Sequence, residues 1–125
     1  MEWITKKYSR VLNGGSDVSL SLSNPGINSG RVVIRFRNDV YLKITKNEFL
    51  KCGLQGTRLY FKETSPTEGF KLTSFNKNKS SCLTRISEEL LPISDTKIEL
   101  GDYKLQYDPN LKMYYIDGLN KIKYE

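Results

Sequence analysis

The run Arg31-Val32-Val33-Ile34-Arg35-Phe36-Arg37 carries the clearest alternation in the chain. Side chains alternate across a strand, so Val32, Ile34 and Phe36 face one way while Arg31, Val33, Arg35 and Arg37 face the other. The stretch predicts a half-buried strand with a cationic outer face. Upstream, Val18, Leu20 and Leu22 alternate with Ser19 and Ser21 as a second half-buried strand would.

Downstream, Asn38-Asp39 has the length of a two-residue hairpin turn and predicts a return strand Val40 to Thr45, with Val40, Leu42 and Ile44 on one face and Tyr41 and Lys43 on the other. Thr45-Lys46-Asn47-Glu48 reads as a capping box opening a helix of about two turns, with Phe49 and Leu50 as its apolar contact and Gly53 as its end. Thr57 to Glu63 and Phe70 to Thr73, joined by a polar turn, predict a second hairpin, and Ser74 to Cys82 a polar connection. Leu83 to Ile86 and Thr96 to Leu100 read as strands around a helical turn, Ser87 to Leu91, stopped by Pro92. Tyr103 to Tyr107 turns at Asp108-Pro109-Asn110 and returns as Leu111 to Asp117. The alternating Tyr103, Leu105, Tyr107, Leu111, Met113 and Tyr115 are expected in the core.

The fold expected is therefore mainly β, a β-rich α+β arrangement of antiparallel hairpins with one or two short helices. Composition agrees: the chain lacks alanine and is rich in Tyr, Ile, Val, Leu, Thr and Phe, which favours pleated surfaces over long helices. At 125 residues it fits one domain. Within it we distinguish an N-terminal extension with one strand (1–30), a first β-rich unit (31–73) and a second (83–117). Trp3 is expected to anchor the N-terminus onto the fold.

A weak internal repeat runs through the two units. Lys43-Ile44-Thr45 and Glu48-Phe49-Leu50 are echoed by Arg85-Ile86-Ser87 and Glu89-Leu90-Leu91, and Thr57 to Phe61 by Thr96 to Leu100. The segment Val40 to Phe61, with Ile44, Glu48, Gly53 and Gly56-Thr57 in the key places, resembles the swapped-hairpin AbrB-like DNA-binding family. It departs from that family in having Thr45 where Pro is usual, and only Lys46 or Lys51 as the helix's basic residue. The resemblance implies DNA binding and interleaved dimerisation, so a homodimer, or a pseudo-dimer of residues 40–73 and 83–116, is expected. The Lys-, Asn-, Ile- and Tyr-rich style also resembles small proteins of phages and mobile elements from AT-rich hosts.

Chemistry narrows the function. The chain has no histidine, and its only cysteines, Cys52 and Cys82, stand apart, so a structural zinc site is excluded and two reduced thiols are expected. A thiol nucleophile would lack an imidazole partner. Glu88-Glu89 suit a helix start better than acid/base work, and Asn13-Gly14-Gly15-Ser16 lacks the Lys-Ser/Thr of a phosphate loop. No enzyme and no cofactor are expected. Nor does any apolar run approach the length of a signal core or membrane span, so a cytoplasmic protein without a membrane partner is expected.

The net charge is +6, and residues 1–63 carry the whole excess, eleven Lys or Arg against five acids. Such asymmetry points to an anionic partner. The candidate binding residues are Arg31, Arg35, Arg37, Lys43, Lys46, Arg58, Tyr60 and Lys62, with Lys43 joining the arginines across the predicted hairpin, and Tyr41 and Tyr60 available to stack on bases. The leading expectation is a non-enzymatic DNA-binding regulator. The alternative is a phage-encoded inhibitor or accessory protein, of anti-CRISPR or other anti-defence type, that docks on a host protein.

Overall fold

The computed structural model describes residues 16–22, 30–37, 39–73 and 82–123. The predicted central strand is present as β2, Arg31–Phe36, and Val32, Ile34 and Phe36 on its apolar face are wholly buried. Strand β1, Val18–Leu22, runs antiparallel to it, with Val18 opposite Phe36 and Leu22 opposite Val32. Chain order does not set the rest of this sheet. β6, Cys82–Ser87, lies on the far side of β2, and β7, Gly101–Tyr103, on the far side of β1, giving the order β6-β2-β1-β7 with every pairing antiparallel.

Between β2 and β6 the chain departs from the expected order. Asn38 lies outside the described residues. The expected return strand Val40 to Thr45 is instead a short helix, α1, Tyr41–Ile44. Val40, Tyr41 and Ile44 are buried while Leu42 and Lys43 are exposed, a spacing that fits a helical turn rather than alternation. The expected helix after Thr45 is instead a strand, β3, Phe49–Gln55. Leu50, Cys52 and Leu54 turn inward and Lys51, Gly53 and Gln55 outward, so the period is two and Gly53 sits mid-strand rather than ending a helix. The capping box does not form. The Thr45 hydroxyl has Asn47 Oδ1 at 2.7 Å and Glu63 Oε2 at 3.1 Å as acceptors for its one proton, and Glu48 takes a φ of 65°.

β3 turns through Gly56-Thr57 into β4, Arg58–Glu63, with Gln55 opposite Arg58. The first turn residue has a φ of 62°, which glycine adopts without steric cost. The second hairpin of the sequence reading is not made. β5, Phe70–Lys71, pairs with β3 and not with β4, whose other neighbour is β9, Met113–Asp117. β8, Gln106–Asp108, closes the second sheet in the order β5-β3-β4-β9-β8.

The two sheets bury their inner faces against one core. Phe36 of the first meets Phe61 of the second edge to face, centroids 5.1 Å apart, and Tyr103, Leu50, Leu59, Leu72, Ile86 and Ile116 fill the space around them. Thr96 to Leu100 forms no strand. It follows a 3-10 turn, Ile93–Asp95, and contributes buried Ile98, while the Thr96 hydroxyl donates to Ile93 O at 2.7 Å. The expected strand Tyr103 to Tyr107 divides between the sheets at Lys104-Leu105, where the Leu105 N–H donates to Asp17 Oδ2 at 3.0 Å. Of the residues expected in the core there, Tyr103 and Tyr115 are buried, Leu105 and Met113 half-buried, and Tyr107 and Leu111 exposed.

The proposed halves do not share a topology. Residues 40–73 supply three strands to the second sheet, whereas 83–116 split between both sheets, and β1 from the N-terminal segment lies inside the first sheet. Trp3 lies outside the described residues. Among the described residues no helix is long and apolar enough to cross a membrane.

Candidate nucleic-acid interface

Strand pairing builds a cationic face on the outside of the four-stranded sheet. Arg31, Val33 and Arg35 project outward from β2, and Arg37 follows its end. On β6, Cys82, Thr84 and Ile86 are buried, which turns Leu83, Arg85 and Ser87 to the same outer face. The register places Arg85 directly opposite Val33, diagonal to both Arg31 and Arg35, and Leu83 opposite Arg35. Diagonal neighbours lie about 7–8 Å apart, and Arg31 and Arg35 about 13 Å apart along the strand. The four guanidinium-bearing positions thus surround a small aliphatic centre.

These arginines are not equally available. Arg37 Nε donates to Ser19 Oγ at 3.2 Å, and the Ser19 hydroxyl donates to Asp102 Oδ1 on β7. Asp17 and Asp102 therefore put an acidic margin on the β1–β7 side of the patch. Among the described residues, neither Arg35 nor Arg85 has a hydrogen-bond or ion-pair partner for its guanidinium. Those two guanidinium groups therefore keep all their donors for a ligand.

The other expected binding residues lie elsewhere. Lys43 is exposed on α1 and does not sit across a hairpin from the arginines, because the return strand that would have carried it is absent. Lys46 is exposed in the bend after α1, and its backbone N–H donates to Glu63 Oε2. Arg58, Tyr60 and Lys62 face outward from β4 on the other sheet, and two sheets packed face to face turn their outer surfaces in opposite directions. Three of the eight residues thus lie on the outer face of one sheet and three on that of the other, with Lys43 and Lys46 on and just after α1.

Arg58 and Tyr60 are also occupied. Arg58 Nη1 donates to Asp108 Oδ2 at 3.2 Å, its Nε lies 3.6 Å from Asp117 Oδ2, and its guanidinium sits 4.2 Å from the Tyr115 ring centroid. The Tyr60 hydroxyl donates to the same Asp108 oxygen at 3.0 Å, and its ring packs on Tyr115 with centroids 5.3 Å apart. Tyr60 is only 6% exposed and Tyr41 only 3%, so neither offers an open ring for a base. Both cysteines are free thiols, and burial pushes each up to about 12, with Asp39 adding to the effect at Cys82.

The cluster around Asp108 makes stability depend on pH. The Leu111 N–H first, then the Tyr60 hydroxyl and the Asn110 N–H, with Arg58 alongside, hold the Asp108 carboxyl below the usual carboxylate range. A carboxyl depressed in the folded state stabilises the fold above its unfolded pKa of about 4, and that contribution is lost as pH falls through the folded value. Asp108→Asn should therefore be less stable than wild type at neutral pH, the two converging toward pH ~2. Urea unfolding at several pH values checks this, and parallel curves would contradict it.

Arg85 is the site residue that sequence reasoning passed over. Its signal was available in the alternation of Cys82, Thr84 and Ile86, but only the pairing of β6 with β2 shows which arginines it joins. Compared with protein-family models, curated proteins and solved structures, the chain matches none.

Proposed function

We propose that the protein is a non-enzymatic nucleic-acid-binding protein, a DNA-binding regulator of the kind phages and mobile elements carry, gripping the phosphate backbone with the outer face of its four-stranded sheet. The observation that carries this reading is the grouping of Arg31, Arg35, Arg37 and Arg85 on one face, with Arg35 and Arg85 uncompensated among the described residues. Arginine forks match phosphate oxygens, and guanidinium is weakly hydrated, so such a face gives up little on contact with a polyanion. Tyr41 and Tyr60 are buried away from it, so binding is expected to read phosphates rather than bases. The two thiols, held protonated at neutral pH, support binding rather than chemistry. Fluorescence anisotropy with labelled duplex and single-stranded DNA at low salt tests it: saturable binding is expected, and none with either would remove the reading.

Half-buried Leu83, directly opposite Arg35, favours a second reading, because arginine beside an apolar residue also suits a protein interface. On that reading the protein is an inhibitor of anti-CRISPR or other anti-defence type, placing the same face on an acidic host protein. A stoichiometric protein partner retained from nuclease-treated host lysate would favour it over DNA binding.

A further inference from the structure

The outer face of the five-stranded sheet holds a gap that neither backbone nor packing requires. Gly53 lies in the interior of β3, directly opposite Tyr60. It does not adopt a positive φ, and a Cβ built there would meet nothing within 4 Å. Glycine inside a strand weakens it, and often marks the close approach of a ligand. A cavity of about 180 Å³ opens at this point, lined by Lys51, Gln55, Tyr60, Lys62 and Met113 around the glycine.

Lys51 and Lys62 are direct cross-strand partners on the same face, and both are exposed. Like charges directly opposite each other destabilise an antiparallel pair. Among the described residues neither lysine has a carboxylate partner, in contrast to Arg58, which two aspartates neutralise. The floor is fixed: the Tyr60 hydroxyl is tied to Asp108 at 3.0 Å and its ring rests on Tyr115. The trough therefore joins a rigid aromatic floor, a soft thioether wall and two unneutralised ammonium groups at one end.

We propose that this trough binds a single small planar ring carrying a phosphate group, the ring entering the gap over Gly53 beside Met113, and the phosphate between Lys51 and Lys62. A dry cavity of about 150 Å³ holds a benzene ring, so the gap accommodates one ring. Lysine is an effective point-charge partner for phosphate, and a dianion relieves the repulsion within the pair. Gln55, at the opposite end of the lining from the lysines in the strand direction, supplies a donor and an acceptor for polar atoms on the ring edge.

The test uses the full chain, ¹⁵N-labelled, titrated separately with phenyl phosphate, phenol and inorganic phosphate. Phenyl phosphate is expected to saturate shifts at residues 51–55, 60–62 and 113, with phenol and phosphate each at least about tenfold weaker, since each keeps only half of the contacts. Gly53→Val fills the gap with a residue that strands favour, and is expected to lose binding about tenfold or more while melting at or above the wild-type temperature. Lys51→Gln with Lys62→Gln, both surface changes, is expected to lose the preference for phenyl phosphate over phenol. Equal binding by Gly53→Val, equal affinity for phosphate alone, or no saturable shift at the trough would each overturn the proposal. Arg35→Glu with Arg85→Glu, on the other sheet, is expected to leave this binding unchanged, so the outcome is independent of the DNA-binding reading.

Discussion

Phe61→Ala is expected to destabilise the fold by about 3–5 kcal/mol. Phe61 is 1% exposed and projects from the middle strand of the five-stranded sheet onto Phe36, at the end of β2, an inner strand of the four-stranded sheet. Truncation removes the transfer free energy of the ring and leaves a cavity between two sheets whose backbones are each fixed by antiparallel ladders, so collapse is limited. It also removes an edge-to-face pair, which contributes about 0.5–1.5 kcal/mol beyond area burial. Small domains have about 5–15 kcal/mol in hand, so the variant should unfold at a far lower urea concentration. A loss below about 1 kcal/mol would mean that the two sheets do not share this core.

Arg35→Glu combined with Arg85→Glu is expected to lower affinity for DNA by at least about 100-fold, because hydrogen bonds to charged groups contribute about 1.5–3 kcal/mol each and the replacements add repulsion. These two are chosen because their guanidinium groups have no partner among the described residues, whereas Arg37 is already engaged with Ser19. Both sit on the solvent side of their strands, over buried neighbours that do not change, so the fold should persist. Lys51→Glu with Lys62→Glu makes the same change in net charge on the opposite sheet and is expected to have a much smaller effect. Equal losses from the two pairs would show that overall charge, rather than this face, governs the affinity.

The fold class was readable because strand signals are local. Arg31 to Arg37 alternates without ambiguity, and the Asp108-Pro109 turn joins β8 to β9 as its residues suggest, with Asp108 Oδ1 accepting from the Asn110 and Leu111 N–H groups. The segment Val40 to Gly53 was misread because it satisfies two periods. Val40, Leu42 and Ile44 suit a strand, Val40, Tyr41 and Ile44 a helical turn, and burial of Tyr41 decides the matter. Glu48 resembles a capping residue in sequence, yet Glu63 from β4 takes the Lys46 N–H and Thr45 hydroxyl instead. A contact eighteen positions away in sequence thus overrides a local motif.

The candidate interface was half visible for the same reason. Arg31, Arg35 and Arg37 share a face by strand geometry alone, and that part holds. Which residues join them depends on strand order, and β6 reaches β2 only after the chain has built most of the other sheet. Arg58 and Tyr60 looked like binding residues because nothing local shows that Asp108, Asp117 and Tyr115 will engage them.

The central claim, that the arginine face of the four-stranded sheet binds nucleic acid through phosphates, is tested most directly by titrating wild type and Arg35→Glu/Arg85→Glu with one DNA duplex across a salt series. Four phosphate contacts predict a slope of log affinity against log salt of about −3 to −4, an affinity that falls about 100-fold between about 50 and 200 mM salt, and a slope about halved in the double variant. No saturable binding at about 50 mM salt, or a slope that the double variant leaves unchanged, would contradict it.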